Sequence, residues 1–157
     1  MVGQQYEEGG IIKNGAKLIN AVSNSKVPSI TLMVSSSYGA GNYAMNGRSY
    51  EPNFLFAYPN SKIGVMGSEQ LAGVMRLITE AANKAKGIPN DEEKMKMIET
   101  MLVADADAKS SAWHSTSELW DDGIINPKET RNYLGFALAV LYNQKIEGSN
   151  SYGVWRH

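Results

Sequence analysis

Ile30-Thr31-Leu32-Met33-Val34, continuing directly into S-S-S-Y-G-A-G-N-Y-A-M-N-G from Ser35 to Gly47, is the stretch that decides the fold. An unbroken aliphatic and β-branched run predicts a strand over 29–35 buried on both faces, and the small residues after it predict a tight turn into a short helix. Such a turn bares backbone amides. Gly39 and Gly41 carry no side chain to block an approaching oxygen, and the first N–H groups of the helix have no intrahelical partner, so the turn can hold an oxyanion or phosphate. A well-made strand-to-helix turn with no ligand reads equally well from these residues alone.

Upstream, Ile12, Gly15, Ala16, Ile19 and Val22 recur at three- and four-residue steps and predict an amphipathic helix over 7–24. Val27-Pro28 then biases the chain toward extended backbone. Downstream, Phe54-Leu55-Phe56-Ala57-Tyr58 predicts a second buried strand, and Lys62 to Met66 a third. Gly67-Ser68 offers a helix cap, with Leu71, Val74, Met75, Ile78 and Ala82 as the apolar stripe to about residue 86. Gly87-Ile88-Pro89-Asn90 breaks that helix. Asp91, Glu92 and Glu93 then open another, striped by Met95, Ile98, Met101 and Leu102. The last helix starts with Asn126 as cap, Pro127 at its first position and Glu129 placed for a capping box, with Leu134, Ala137, Leu138 and Leu141 facing inward. Helix, strand, glycine turn and helix make an α/β pattern, in which ligands gather at the carboxyl ends of parallel strands.

Composition narrows the chemistry. A chain of 157 residues makes one domain and buries roughly two thirds of its unfolded surface. Fifteen basic against 16 acidic residues, net −1, make no field strong enough to suggest nucleic acid or an anionic membrane as the main partner, and neither is expected. With no cysteine, thiolate nucleophiles, thiolate metal sites and disulfides are excluded. No apolar run approaches the ~20 residues of a membrane span, and the first residues lack a secretion signal. The expected location is cytoplasmic, or the mitochondrial matrix in a eukaryote. Eight methionines and three tryptophans hint at faces that meet a partner.

Side-chain acid–base machinery is scarce. His114 beside Trp113 is one of only two histidines, and a lone histidine is more often structural than catalytic; the other, His157, is terminal. A histidine-rich metal site or a base-plus-nucleophile pair therefore lacks material. Asp121 and Asp122 read either as paired acids or, more simply, as solvated turn carboxylates. The tail from Gly148, with Tyr152 and Trp155, is expected to dock by its aromatics.

Several motifs together resemble one family. Gly15-Ala16-Lys17, Val27-Pro28, S-Y-G-A-G-N-Y-A-M-N-G-R from Ser37 to Arg48, Y-P-N-S-K-I-G-V-M-G-S-E-Q from Tyr58 to Gln70, L-W-D-D-G-I-I-N-P-K-E-T-R from Leu119 to Arg131 and the ending Y-G-V-W-R-H stand in the family's order. They resemble the carboxyltransferase subunit of biotin-dependent acyl-CoA carboxylases, of the methylcrotonoyl-CoA and geranyl-CoA type. The resemblance implies a partial crotonase-like fold, with residues 1–157 as a single partial domain, the later part of the carboxybiotin-binding half. It implies that the acyl-CoA-binding half is absent and that Met1 is an internal methionine of a longer ancestor or the start of a truncated frame. Residues 84–116 are expected to match poorly.

In that family the backbone amides at the positions of Gly39 and Ala40 form an oxyanion hole for the ureido oxygen of carboxybiotin. Donors aimed at developing negative charge contribute a few kcal/mol each and need no side-chain acid. Tyr38, Gly41, Asn42 and Tyr43 would flank the cofactor, and Ala44 stands where the family has glycine. The implied cofactor is biotin, carried as carboxybiotin on a carrier protein; the implied partners are an acyl-CoA substrate, a biotin carboxylase or carrier subunit, and further copies in a homo-oligomer. A chain with one wall of the site is expected to be inactive alone. The alternatives are a non-catalytic assembly module pairing with a complementary half and, last, a crotonase-like hydrolase or isomerase.

Overall fold

The computed structural model describes residues 3–148, 150 and 151; Met1, Tyr152, Trp155, His157 and the ending they belong to lie outside the described residues. The helices are α1 (Gln4–Glu8), α2 (Ile11–Asn24), α3 (Gly39–Ala44), α4 (Ser68–Lys86), α5 (Glu92–Ser110), α6 (Ala112–Ser117) and α7 (Thr130–Leu141). The strands are β1 (Ile30–Met33), β2 (Ser36–Tyr38), β3 (Phe54–Ala57) and β4 (Lys62–Gly64). The expected α/β architecture is present.

Among the described residues the named strands pair in parallel in two small sheets, β1 with β3 and β2 with β4, and Lys62 of β4 adds an isolated antiparallel bridge to Ser111. Parallel strands need a crossover between them, and the glycine turn with α3 lies within the one that joins β1 to β3. Beyond β3 the chain returns alongside: Ala57 N–H donates to Gly123 O at 3.1 Å and Ile125 N–H to Ala57 O at 2.9 Å. The first sheet thus carries a third, irregular strand.

Alternation along these strands divides the core into two layers. Met33, Leu55 and Ala57 turn to one side, where they pack with Ile63 and Ala112. Ile30, Leu32, Phe54 and Phe56 turn to the other, against Ile125, Leu134 and Ala137. β3 sits in the middle, so Leu55, Phe56 and Ala57 are all buried. In β1 only Met33 is buried, and Ile30, Thr31 and Leu32 are half-buried. The strand expected to be covered on both faces has β3 as its only strand neighbour among the described residues.

Local departures from expectation have local causes. The helix expected over 7–24 splits at Gly9-Gly10, where Gly10 takes a left-handed φ of 83° that a continuous helix cannot use. Its Ile12, placed on the apolar face, is 76% exposed. The turn expected at Ser35 contains β2, a strand with no aliphatic residue, which forms because Ser36, Ser37 and Tyr38 pair with Lys62, Ile63 and Gly64. The final helix begins as a 3-10 turn over Pro127–Glu129; the Asn126 side chain caps Lys128 N–H at 3.1 Å, and Glu129 closes the turn through its own N–H to Asn126 O. On α7, Ala137 and Leu141 face inward as expected, while Leu138 is 47% exposed.

α4 and α5 pack on each other as a hairpin, turned by Gly87 at φ 67°. Asp91 caps α5 by accepting from Lys94 N–H. Ala72 and Met95 are buried in the hairpin. The rest of the apolar stripe is not: Val74, Met75, Ile78, Ile98 and Met101 remain exposed. Ser68 does not cap α4: Gly67 holds the cap position, Ser68 is the first helical residue, and its hydroxyl donates to Asp107 Oδ1 at 3.0 Å.

Candidate functional site

β2 runs straight into α3 at Tyr38-Gly39, and Gly39 turns the chain with a φ of 56°. A side chain there would be strained, and its Cβ would stand 3.1 Å from the Val65 carbonyl oxygen. Glycine is therefore required at this bend. Gly39, Ala40 and Gly41 are the first residues of α3 after the Tyr38 cap, and their amides have no i−4 carbonyl within the helix to bond.

An open cleft of about 470 Å³ lies between β1, β2 and one side of α3. Of the six residues singled out from sequence, Tyr38, Gly41 and Asn42 line it. Gly41 has open space around the position of a Cβ. Asn42 is buried, and its Nδ2 donates to Ser37 Oγ at 2.8 Å, so it ties α3 back to β2. Gly39, Ala40 and Tyr43 are outside the lining; Ala40 is exposed, and Tyr43 meets Tyr50 edge-on with ring centroids 5.9 Å apart. No Asp, Glu, Lys, Arg or His is among the residues that line this cleft. Another cleft, of about 490 Å³, opens beside Lys26, Asn46 and Glu51 and includes no residue of the glycine turn between Ser35 and Ala44.

The segment Leu119–Arg131 braces the turn from the far side. Arg48, which follows the glycine turn, places its guanidinium carbon 3.7 Å from the centre of the Trp120 ring, a cation–π contact. His114 meets the same indole edge-on at 5.6 Å. Asp122 is an exposed turn carboxylate, as the simpler reading expects, whereas Asp121 is half-buried and fully engaged. Asp121 accepts from Ser115 Oγ at 2.7 Å, Thr116 Oγ1 at 2.8 Å and Gly123 N–H at 3.0 Å. Asp122 Oδ2 accepts from Leu55 N–H at 2.7 Å. Both carboxylates are spent on holding the chain around β3.

One cluster near the turn was not visible in the sequence. Lys62 Nζ bonds Asp107 Oδ1 at 2.8 Å, and the Ser68 hydroxyl shares the same oxygen. Hydrogen bonding to Lys62, then to Ser68, holds the Asp107 carboxyl below its ordinary value, and the bond to Asp107 raises Lys62. A depressed carboxyl adds stability that is fully present above the ordinary carboxylate value and lost as pH falls through the lowered one. The melting temperature of the native chain should therefore exceed that of Asp107→Asn at pH 7, and the gap should close in acid. A gap that stayed constant or widened as the pH is lowered through and below the ordinary carboxylate range would contradict this.

The carboxyl transferase domain family matches residues 1–151. Residues 84–116, expected to match poorly, lie inside that span. A probable biotin-dependent acyl-coenzyme A carboxylase beta2 subunit of Mycobacterium tuberculosis is 46% identical over 156 residues, covering 99% of this chain and 30% of that protein. The mitochondrial methylcrotonoyl-CoA carboxylase beta chain of Arabidopsis thaliana is 44% identical over 99% of this chain and 26% of its own length. Among solved structures, the beta subunit of geranyl-CoA carboxylase from P. aeruginosa superposes with a TM-score of 0.82 at 43% identity, covering 98% of this chain and 29% of that one. Transcarboxylase 12S, described as a hexamer assembly, superposes at 0.75 with 27% identity. The chain thus spans less than a third of the length of each of these relatives.

Proposed function

This chain belongs to the carboxyl transferase domain family, with the α/β fold of its crotonase-like carboxyltransferase subunits, and on that footing we propose that it supplies the biotin-side wall of an acyl-CoA carboxyltransferase site. The observation that carries the reading is a glycine turn whose Gly41 lines a cleft with no Asp, Glu, Lys, Arg or His in its lining. A neutral ureido ring fits such a lining. Carboxybiotin, when bound, supplies the carboxyl group and the base that the acyl-CoA proton requires, so the protein need not provide one.

The chain's own contribution is positional and electrostatic. The Gly39 and Ala40 amides, first in α3, are the donors proposed for the ureido oxygen, and they act where negative charge develops. Gly41 keeps the adjacent space open. Tyr38 lines the cleft beside it. The acyl-CoA, a biotin carboxylase or carrier subunit and further copies of the chain are the proposed partners. With one wall present, the isolated chain should release carbon dioxide slowly from carboxylated biotin derivatives and should not carboxylate methylcrotonoyl-CoA. Efficient acyl-CoA carboxylation by the chain alone would overturn the one-wall reading.

Gly41 is the cleaner position for a substitution test, because a variant at Gly39 confounds binding with backbone strain. Gly41→Val should project into the cleft, since nothing lies within 4 Å of the new Cβ, and valine suits a helix slightly better than glycine. Decarboxylation of the biotin derivative is expected to fall about tenfold or more, with the melting temperature unchanged or raised. A second reading is an assembly module. It draws on the exposed apolar side chains of the α4–α5 hairpin, among them Leu77 at 66%, Met97 at 65% and Met101 at 62%. Unchanged biotin chemistry in Gly41→Val would favour that reading.

A further inference from the structure

The glycine turn has a neighbour that could set its direction. Parallel pairing puts Tyr38 beside Gly64, and one step further along, the Val65 carbonyl oxygen lies against Gly39, 3.1 Å from where a Cβ would stand. Val65 belongs to the segment that leaves β4 and enters α4. Both ends of that segment are held by a single atom: Asp107 Oδ1 accepts from Lys62 Nζ at 2.8 Å and from Ser68 Oγ at 3.0 Å. Asp107 sits on α5, 45 and 39 residues from its two donors. A distant helix therefore ties together both ends of residues 62–68, of which 62–64 are also held by the ladder with 36–38.

We infer that Asp107 is a positioning residue for the glycine turn: by holding Lys62 and Ser68 it fixes the Val65 carbonyl, and through that carbonyl the direction in which the Gly39 and Ala40 amides point. The consequence for biotin rests on the function proposed above, whereas the positional effect does not. The ion pair itself adds little to stability, because each of its side chains is 42% exposed and solvent screens the attraction. What distinguishes it is geometry, since two donors from opposite ends of one seven-residue segment converge on the same oxygen.

Amide resonances of the isotopically labelled chain test this directly. In Asp107→Ala the Gly39 and Ala40 cross-peaks are expected to shift by more than their line width, while the melting temperature stays within about 3 °C. Asp107→Asn keeps an oxygen acceptor for both donors and should leave those peaks in place. Lys109→Ala, which breaks only the pair with Asp105 on the same helix, should also leave them. If Asp107→Ala does not fold, Ser68→Ala removes a single hydroxyl and should move the same peaks to a smaller extent. Unmoved Gly39 and Ala40 peaks in the alanine variant would overturn the inference. With free biotin as probe, the same samples should show affinity about tenfold weaker in Asp107→Ala. Peaks that move while biotin binding stays constant would uphold the positional role and count against the biotin site.

Discussion

Gly47→Ala is expected to destabilise the chain by about 3 kcal/mol, a large loss for one methyl group. The backbone does not forbid alanine there, since Gly47 has a φ of −70° and a ψ of −178°, an extended conformation open to any residue. The obstacle is space. A Cβ would collide with Asn42, both its side-chain amide and its backbone oxygen. Asn42 cannot swing aside cheaply, because it is buried and donates to Ser37 Oγ, and its carbonyl accepts the Gly47 N–H at 2.7 Å. Relief must come from moving the end of α3 away from β2. Denaturant unfolding of the variant should show the loss, and adding Asn42→Ala should restore part of it by removing the clashing amide. If Gly47→Ala were as stable as the native chain, this packing would be wrong.

Asp121→Ala is expected to cost a similar amount, about 3 kcal/mol, or about 10 °C in melting temperature for a chain of this size. Three donors converge on this carboxylate, and one of them, the Ser115 hydroxyl, belongs to a residue with no exposed surface. Truncation would leave that hydroxyl buried without its acceptor, and an orphaned buried donor costs more than a lost surface bond. Asp121→Asn keeps one oxygen and should lose roughly half as much. Combining Ser115→Ala with Asp121→Ala should destabilise less than the sum of the two, because the orphan is removed with its partner. Strict additivity in thermal unfolding would show that the two groups do not act as a pair.

How far the fold could be read from the chain depended on how local each signal was. α4 and the start of α5 follow from nearby residues: a break at Gly87 to Asn90, a cap at Asp91 and acids in the first turn. β3 was legible because Phe54 to Ala57 is apolar throughout, which suits a strand covered on both sides. β2 was not, because S-S-Y has no strand signature and becomes a strand only by pairing with residues 62–64. The glycine turn and the helix start after it could be read, since glycine and small residues after an apolar run mark such a bend. Its side-chain supports could not. Lys62, Ser68 and Asp107 share no spacing that a sequence pattern exposes, and Asp121 and Asp122 look like any acidic turn until Ser115, Thr116 and Leu55 are brought to them.

The stack of Arg48, Trp120 and His114 also makes the molecule optically useful. An indole with a guanidinium 3.7 Å from its centre and an imidazole at its edge reports its surroundings through its fluorescence. Trp113 is 68% exposed and should emit like a tryptophan in water whether or not the chain is folded. Trp120 should change its emission when the glycine turn separates from the segment 119–131. A single wavelength scan of the double variant Trp113→Phe, Trp155→Phe, which leaves Trp120 as the one tryptophan of the three, would then follow docking at this junction without an added dye.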